Sequence, residues 1–173
     1  MLAPRPSGRP PPPPRARPTT PRGSRRRRRR CAAAYAGAQV LGCVSGAVVA
    51  HLQFGLPAGQ VSTTARLAAP ALLAEVLATA GLVAVILLLV AAGRTLAIAP
   101  AVGAYIGAAY FVTSSTSFAN PAITIGRMAS DTYAGIAPLD GLGFIAAQLV
   151  GALLGMLAVR LLVGRRPAAA PAP

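Results

Sequence analysis

The chain has 173 residues, of which 54% are apolar and only 12% charged, with 17 basic side chains against 3 acidic ones and a mean hydropathy of +0.59. A soluble domain carries about twice that share of charge, so the composition points to lipid as the solvent. No paired carboxylates, no nucleophile placed beside a base, no phosphate loop and no metal-ligand spacing around Cys31, Cys43 or His51 appear. An enzyme, a cofactor and a metal centre are therefore not expected.

Eleven of the seventeen arginines lie in residues 1–30, together with the proline run Pro11 to Pro14 and the arginine run Arg25 to Arg30. So little apolar surface cannot offset the entropy of ordering, and the segment reads as a disordered tail. No base-reading aromatics or fold follow it, so a nucleic-acid partner is not expected. The next apolar run is too long for a secretion signal, and contact with anionic lipid is the remaining functional reading.

The body, residues 31–164, reads as an all-α membrane domain of about four transmembrane helices, followed by a short tail over 165–173. A bilayer core of ~30 Å needs about 20 apolar helical residues. Four stretches qualify: Ala32 to Phe54, Ala68 to Ala91, Ile98 to Thr116 and Gly141 to Val163. Arginines stay on the cytoplasmic side. Arg25 to Arg30 precede span one, Arg94 follows span two, and Arg165 and Arg166 follow span four. Four crossings place all of these on one face and Asp131 and Asp140 on the other, with Arg66 the basic exception. Both termini are expected in the cytoplasm.

Span one carries Tyr35, Ala38-Gln39, Gly42 and Gly46; span four carries Phe144, Ala147-Gln148, Gly151 and Gly155 at the same spacing. The glycine pairs suit close helix packing in lipid. The charge argument gives the two copies opposite orientations, as in inverted-repeat channels and transporters.

Between spans three and four lies the run Thr113-Ser114-Ser115-Thr116-Ser117-Phe118-Ala119-Asn120-Pro121-Ala122. Asn is a favoured N-cap and Pro a favoured first helical residue, which predicts a helix over about 121–130. Being too short to cross a bilayer, it reads as a re-entrant half-helix. Irregular backbone at membrane depth persists only under protein cover or against a water-filled cavity. Residues Ser115 to Ala119 would then offer carbonyl acceptors and Asn120 an amide donor to a solute. The positive end of the half-helix dipole would disfavour cations.

The stretch Ser117 to Ala122 followed by span four resembles the second pore loop of the aquaporins and aquaglyceroporins, the major intrinsic proteins. Glu75 matches the family's pore-loop support, a buried Glu that accepts loop hydrogen bonds. The Gln39 and Gln148 motifs look like the family's third and sixth helices. The resemblance covers residues 32–164 and implies a channel for water or small neutral solutes, of glycerol or metalloid-hydroxide type. It further implies the cell membrane as location and the tetramer usual in the family. Two departures stand out. Ile123 occupies the position where the family has a filter arginine. The first two helices and the first half-helix of the family have no counterpart, the Arg/Pro tail standing in their place. Candidate filter residues are Ile123, Ser117, Ala108 and Arg127, although the resemblance itself assigns Arg127 no role. Two functions are open at this point: a channel, inactive alone for want of the first half, or a non-conducting membrane fragment or interaction partner.

Overall fold

A computed structural model describes residues 22–164 of the chain, which divides into two compact units, Met1–Ala34 and Tyr35–Pro173. The elements are helix α1 (Arg22–Gln53), α2 (Ala69–Ala91), a 3-10 turn (Thr95–Ala97), α3 (Ile98–Val112), α4 (Pro121–Met128) and α5 (Pro138–Val163). No strand occurs among the described residues. Four helical stretches within them are long and apolar enough to cross a membrane: Arg29–Gln53, Ala69–Ala91, Thr95–Val112 and Pro138–Val163. Leu73, Leu77, Leu149 and Leu153, on α2 and α5, are exposed, as a lipid-facing surface requires.

Most boundaries follow local chemistry. Proline stands in the first turn of α2, α4 and α5, where its missing N–H has no partner to lose. Helix α2 stops at Gly93, whose φ of +70° is the left-handed turn that glycine adopts without strain.

Four boundaries depart from the sequence expectation by two residues or more; one is the start of α5, at Pro138 rather than Gly141. Helix α1 begins at Arg22 rather than Ala32, so Arg25 to Arg30 are helical and not part of a disordered tail. Arginine is a good helix former, and Pro21 is the last proline before Pro57, so nothing interrupts the helix once the apolar span nucleates it. The rest of the expected tails, 1–21 and 165–173, lies outside the described residues. Helix α3 ends at Val112 rather than Thr116: Thr113 turns extended (ψ 140°) and its hydroxyl donates back to the Ala109 carbonyl at 2.8 Å. The half-helix α4 ends at Met128, two residues short of the expected 130.

In the second unit α5 lies along α2 with almost no gap. A Cβ at Gly155 would stand 2.5 Å from the Ala80 carbonyl oxygen, and one at Gly151 would collide with that of Val76. Helix α3 adds to α2 through Tyr105, whose hydroxyl donates to the Ala78 carbonyl at 2.9 Å. Helix α4 approaches α1 at Gly126, where a Cβ would be 2.7 Å from that of Cys43. Phe118, Ile136, Phe144 and Ala71 form a buried cluster, with Ile123 and Met128 packed against it.

At Gly42 and Gly46, by contrast, an added Cβ would meet nothing within 4 Å among the described residues. The motif of α5 is filled by α2, whereas the same motif in α1 meets no counterpart of α2 among the described residues.

This contrast is measurable as thermal stability in detergent. Gly151→Ala and Gly155→Ala push two backbones apart and should destabilise by about 1–3 kcal/mol each. Gly42→Ala and Gly46→Ala meet nothing and gain up to ~1 kcal/mol of helix propensity. Equal losses at all four positions would contradict the packing.

Candidate functional site

The site starts from one carboxylate. Glu75 lies six residues into α2, about 9 Å along its axis, and is fully buried. An unpaired charge there would cost several kcal/mol. Instead its Oε1 accepts from the Ser115 hydroxyl (2.6 Å) and the Phe118 amide (2.8 Å), and its Oε2 accepts from the Ala119 amide (2.9 Å) and Gln148 Nε2 (2.7 Å). Hydrogen bonds to a charged group contribute about 1.5–3 kcal/mol each. Helix α5 thus enters the site through Gln148, a residue expected only to pack.

These bonds dictate the loop's orientation. In a trans peptide the N–H and C=O point opposite ways. With the amides of Phe118 and Ala119 drawn to Glu75, the carbonyls of Ser117 and Phe118 must face away from it. The backbone takes left-handed φ values to achieve this: 59° at Thr116, 46° at Ser117 and 49° at Ala119. None is glycine, and such conformations are strained. The Ser117 hydroxyl is buried without a hydrogen-bond partner.

Helix α4 begins where the loop ends. The Asn120 side-chain oxygen accepts from the Ala122 amide at 2.8 Å, the N-cap expected from sequence. That fixes the amide group and leaves its NH₂ free of bonding partners among the described residues. Thr124, fully buried, accepts from Gln148 Nε2 at 2.9 Å and donates to the Asn120 carbonyl at 3.1 Å, so the half-helix is tied to α5 at its first turn.

The filter candidates do not converge on one point. Ile123 and Arg127 line a cavity of about 620 Å³ together with Cys43, His51, Gly126 and Ser130. Arg127 donates to the Thr116 hydroxyl at 3.3 Å, and its guanidinium carbon lies 4.1 Å from the centroid of the Phe118 ring. Ser117 is buried in the loop, while Ala108 is exposed on α3. Gln39, the α1 counterpart of Gln148, is half-buried.

Sequence reasoning missed a latch that holds the end of α4. His51 is buried; its Nδ1 faces the Pro57 carbonyl at 2.9 Å and its Nε2 the Ser130 hydroxyl at 2.8 Å. The carbonyl can only accept, so Nδ1 donates to it, while Nε2 and the Ser130 hydroxyl share a hydrogen bond. The Ser62 amide donates to the Met128 carbonyl (2.9 Å), and Asp131 Oδ1 accepts from the Thr63 amide (2.7 Å) and hydroxyl (3.0 Å). The available signal was a lone histidine beside Gly55 and Pro57 in an otherwise apolar span.

Compared with known proteins, the sequence matches no family model and no solved structure. It is similar to the aquaglyceroporin AqpS of Rhizobium meliloti (strain 1021), 44% identical over 131 residues. That match covers 76% of this chain and 56% of the relative, so the chain spans little more than half the length of the curated relative it matches.

Neutralising the carboxylate tests the site's construction. Glu75→Ala leaves the Phe118 and Ala119 amides buried and unpartnered, at a cost of about 1–3 kcal/mol per group. Hydrogen–deuterium exchange over residues 113–122 should accelerate by at least tenfold, with exchange in α2 and α5 far less affected. An unchanged loop would mean that Glu75 does not hold it.

Proposed function

The chain belongs to the aquaporin and aquaglyceroporin family, the major intrinsic proteins, and from that premise we propose that it forms the pore-loop half of a membrane channel for small neutral solutes. One observation carries the reading: two successive loop amides are consumed by Glu75, which turns their carbonyls outward just before a capped half-helix. A row of acceptors followed by a free amide donor suits a solute whose hydroxyl or amide groups exchange water for protein without net charge. The positive dipole end of α4 disfavours cations at the same place. Nothing in this chemistry transforms the solute, so the protein is a conduit and not an enzyme.

In this reading Asn120, Pro121 and Ala122 form the constriction's floor, Asn120 orients the solute, and Ile123 gives a wide apolar wall where the family has arginine. Ser117 and Ala108 are the small residues that leave room opposite, and Arg127 stands one turn beyond Ile123. The location is the cell membrane with both termini in the cytoplasm, and the working assembly is the family's tetramer. A second reading, a non-conducting membrane protein or interaction partner, is favoured by the open faces of Gly42 and Gly46. Residues 22–164 hold one half-helix, whereas an inverted-repeat channel builds its constriction from two.

Osmotic shrinkage of liposomes followed by light scattering separates the two readings. The chain alone should be no more permeable than empty liposomes, and joined to a first half bearing its own half-helix it should pass glycerol. In that joined channel Asn120→Asp replaces a donor by an anion and should cut glycerol flux by about tenfold or more, the effect of losing one buried polar contact. Parental flux in the Asp variant would remove Asn120 from the pore. Ile123→Arg adds bulk and charge at the narrow zone, so glycerol flux should fall several-fold more than water flux. Equal slowing, or none, would mean that residue 123 does not face the lumen.

Orientation has its own check. A reporter active only in the cytoplasm, fused after Pro173, should be active, and a tag at Gly59 should be cleaved by external protease in intact cells. The opposite pattern would invert the topology.

A further inference from the structure

Seven of the first nine residues of α1 are arginine, Arg22 and Arg25 to Arg30, and no acid stands in its first turn. A helix is opposed there on two counts. The positive end of the helix dipole lies at these residues and disfavours cations. Residues three and four apart are neighbours on a helix, and every arginine of the run has another at one of those spacings. Arg27, Arg29 and Arg30 are exposed, so their burial does not offset the repulsion. Helix propensity and the apolar span that follows carry the helix into the run, but they leave its charge uncompensated.

The chain has no side-chain anion to spare for the run. Its three acids are Glu75, Asp131 and Asp140. Glu75 is enclosed by the loop and Gln148, Asp131 accepts from Thr63, and Asp140 Oδ2 accepts from the backbone amides of Arg66 (2.6 Å) and Leu67 (3.0 Å). The counter-anion therefore comes from outside the chain. Helix α1 runs without a break into the stretch Arg29–Gln53, which is long and apolar enough to cross a membrane. At about 1.5 Å per residue, Arg27 to Arg30 lie within about 6 Å of Cys31 along the axis. A hydrocarbon core of ~30 Å in a bilayer of ~40–45 Å leaves a headgroup layer of about 5–8 Å on each side. These four arginines stand at headgroup depth. Arg25 and Arg26 are one and two residues further out, within a Debye length of about 8 Å of that layer.

We propose that Arg25 to Arg30 form a helical collar that binds the phosphate groups of anionic phospholipids, and that this contact keeps the first turns of α1 helical. Guanidinium suits the task, because its planar fork pairs with two phosphate oxygens at once and sheds water more readily than an ammonium. The partner is a lipid surface and not a nucleic acid: the span tethers the run among headgroups, and residues 1–30 contain no aromatic on which a base would stack. The collar reads negative charge, so anionic headgroups of different structure serve alike. In the proposed orientation it meets the cytoplasmic leaflet, the anionic one. The contact does not rest on the channel reading.

The full chain in nanodiscs tests this, with phosphatidylcholine alone or with about 30% phosphatidylglycerol in both leaflets, so that orientation does not matter. Hydrogen–deuterium exchange is read at the amides of residues 26–30, which have intrahelical acceptors within α1. One arginine beside an anionic surface gains about a fivefold bias, so two engaged arginines suffice to slow exchange at least tenfold in the anionic discs. About 0.5 M salt should shrink that difference to about twofold or less, a readout on the native chain that needs no variant. Gln matches Arg in helix propensity, so the combined Arg25→Gln to Arg30→Gln chain should exchange within about twofold in the two discs, while the corresponding Lys chain keeps most of the difference. Equal exchange of the native chain in both discs, or the same slowing in the Gln chain, overturns the collar. So does full protection in phosphatidylcholine discs by about 10 mM inorganic phosphate, which would make the ligand a free anion. Protection there by a short single-stranded RNA, greater than phosphatidylglycerol gives, would overturn it in favour of nucleic acid.

Discussion

One buried carboxylate organises the second unit. Glu75 cannot remain charged inside a membrane without partners, and the partners it finds come from the loop and from α5. Its bonds to Ser115, Phe118, Ala119 and Gln148 bring three separate stretches of chain to one point. Everything else near the site follows from that convergence. The amides are taken, so the carbonyls turn outward; the loop is drawn in, so the half-helix starts at depth; Gln148 is engaged, so α5 must lie close enough to α2 for Gly151 and Gly155 to be needed. The glycines and the glutamate are two expressions of the same requirement, that α2 and α5 touch along their length.

The sequence made much of this legible, and for identifiable reasons. Long apolar runs locate spans because the bilayer fixes their length, and Asn120-Pro121 locates a helix start because capping is a local interaction. Glu75 was recognisable because an isolated acid in an apolar run needs a purpose. What remained hidden depends on distant contacts or on competition between local tendencies. The end of α3 came four residues early because the hydroxyl of Thr113 folds back on its own helix, which hydropathy does not register. The arginine run looked unstructured by composition, yet a helix started in the apolar span continues into it. His51 offered no chemistry in sequence, since its partner Ser130 is 79 residues away. The bonds of Gln148 were equally non-local, and its motif could be read only as packing.

The repeat carries a further lesson about equal sequence and unequal environment. Tyr35 and Phe144 occupy matching positions, but Phe144 is fully buried against Phe118 with ring centroids 5.2 Å apart, whereas Tyr35 is 70% exposed. The residue types are those of an interface in both copies. Only one copy meets its partner among the described residues, so a motif specifies what can be bound and not whether it is.

The left-handed residues of the loop have a consequence for the order of membrane assembly. Thr116, Ser117 and Ala119 each sit in a conformation costing about 1–3 kcal/mol, against which the loop sets only two bonds of its own, from the Thr116 amide to the Thr113 carbonyl and from the Ser117 amide to the Ser115 hydroxyl, each 3.2 Å. Its shape is therefore borrowed from its surroundings. While the chain is being inserted, α2 and α3 can enter the bilayer with residues 113–120 in any relaxed form. Three of the four bonds to Glu75 come from the loop itself, and the fourth waits for Gln148, so the strained form is fully supported only once α5 is in place. Among the described residues, the loop that precedes α4 therefore completes its bonding only after α5 has joined α2.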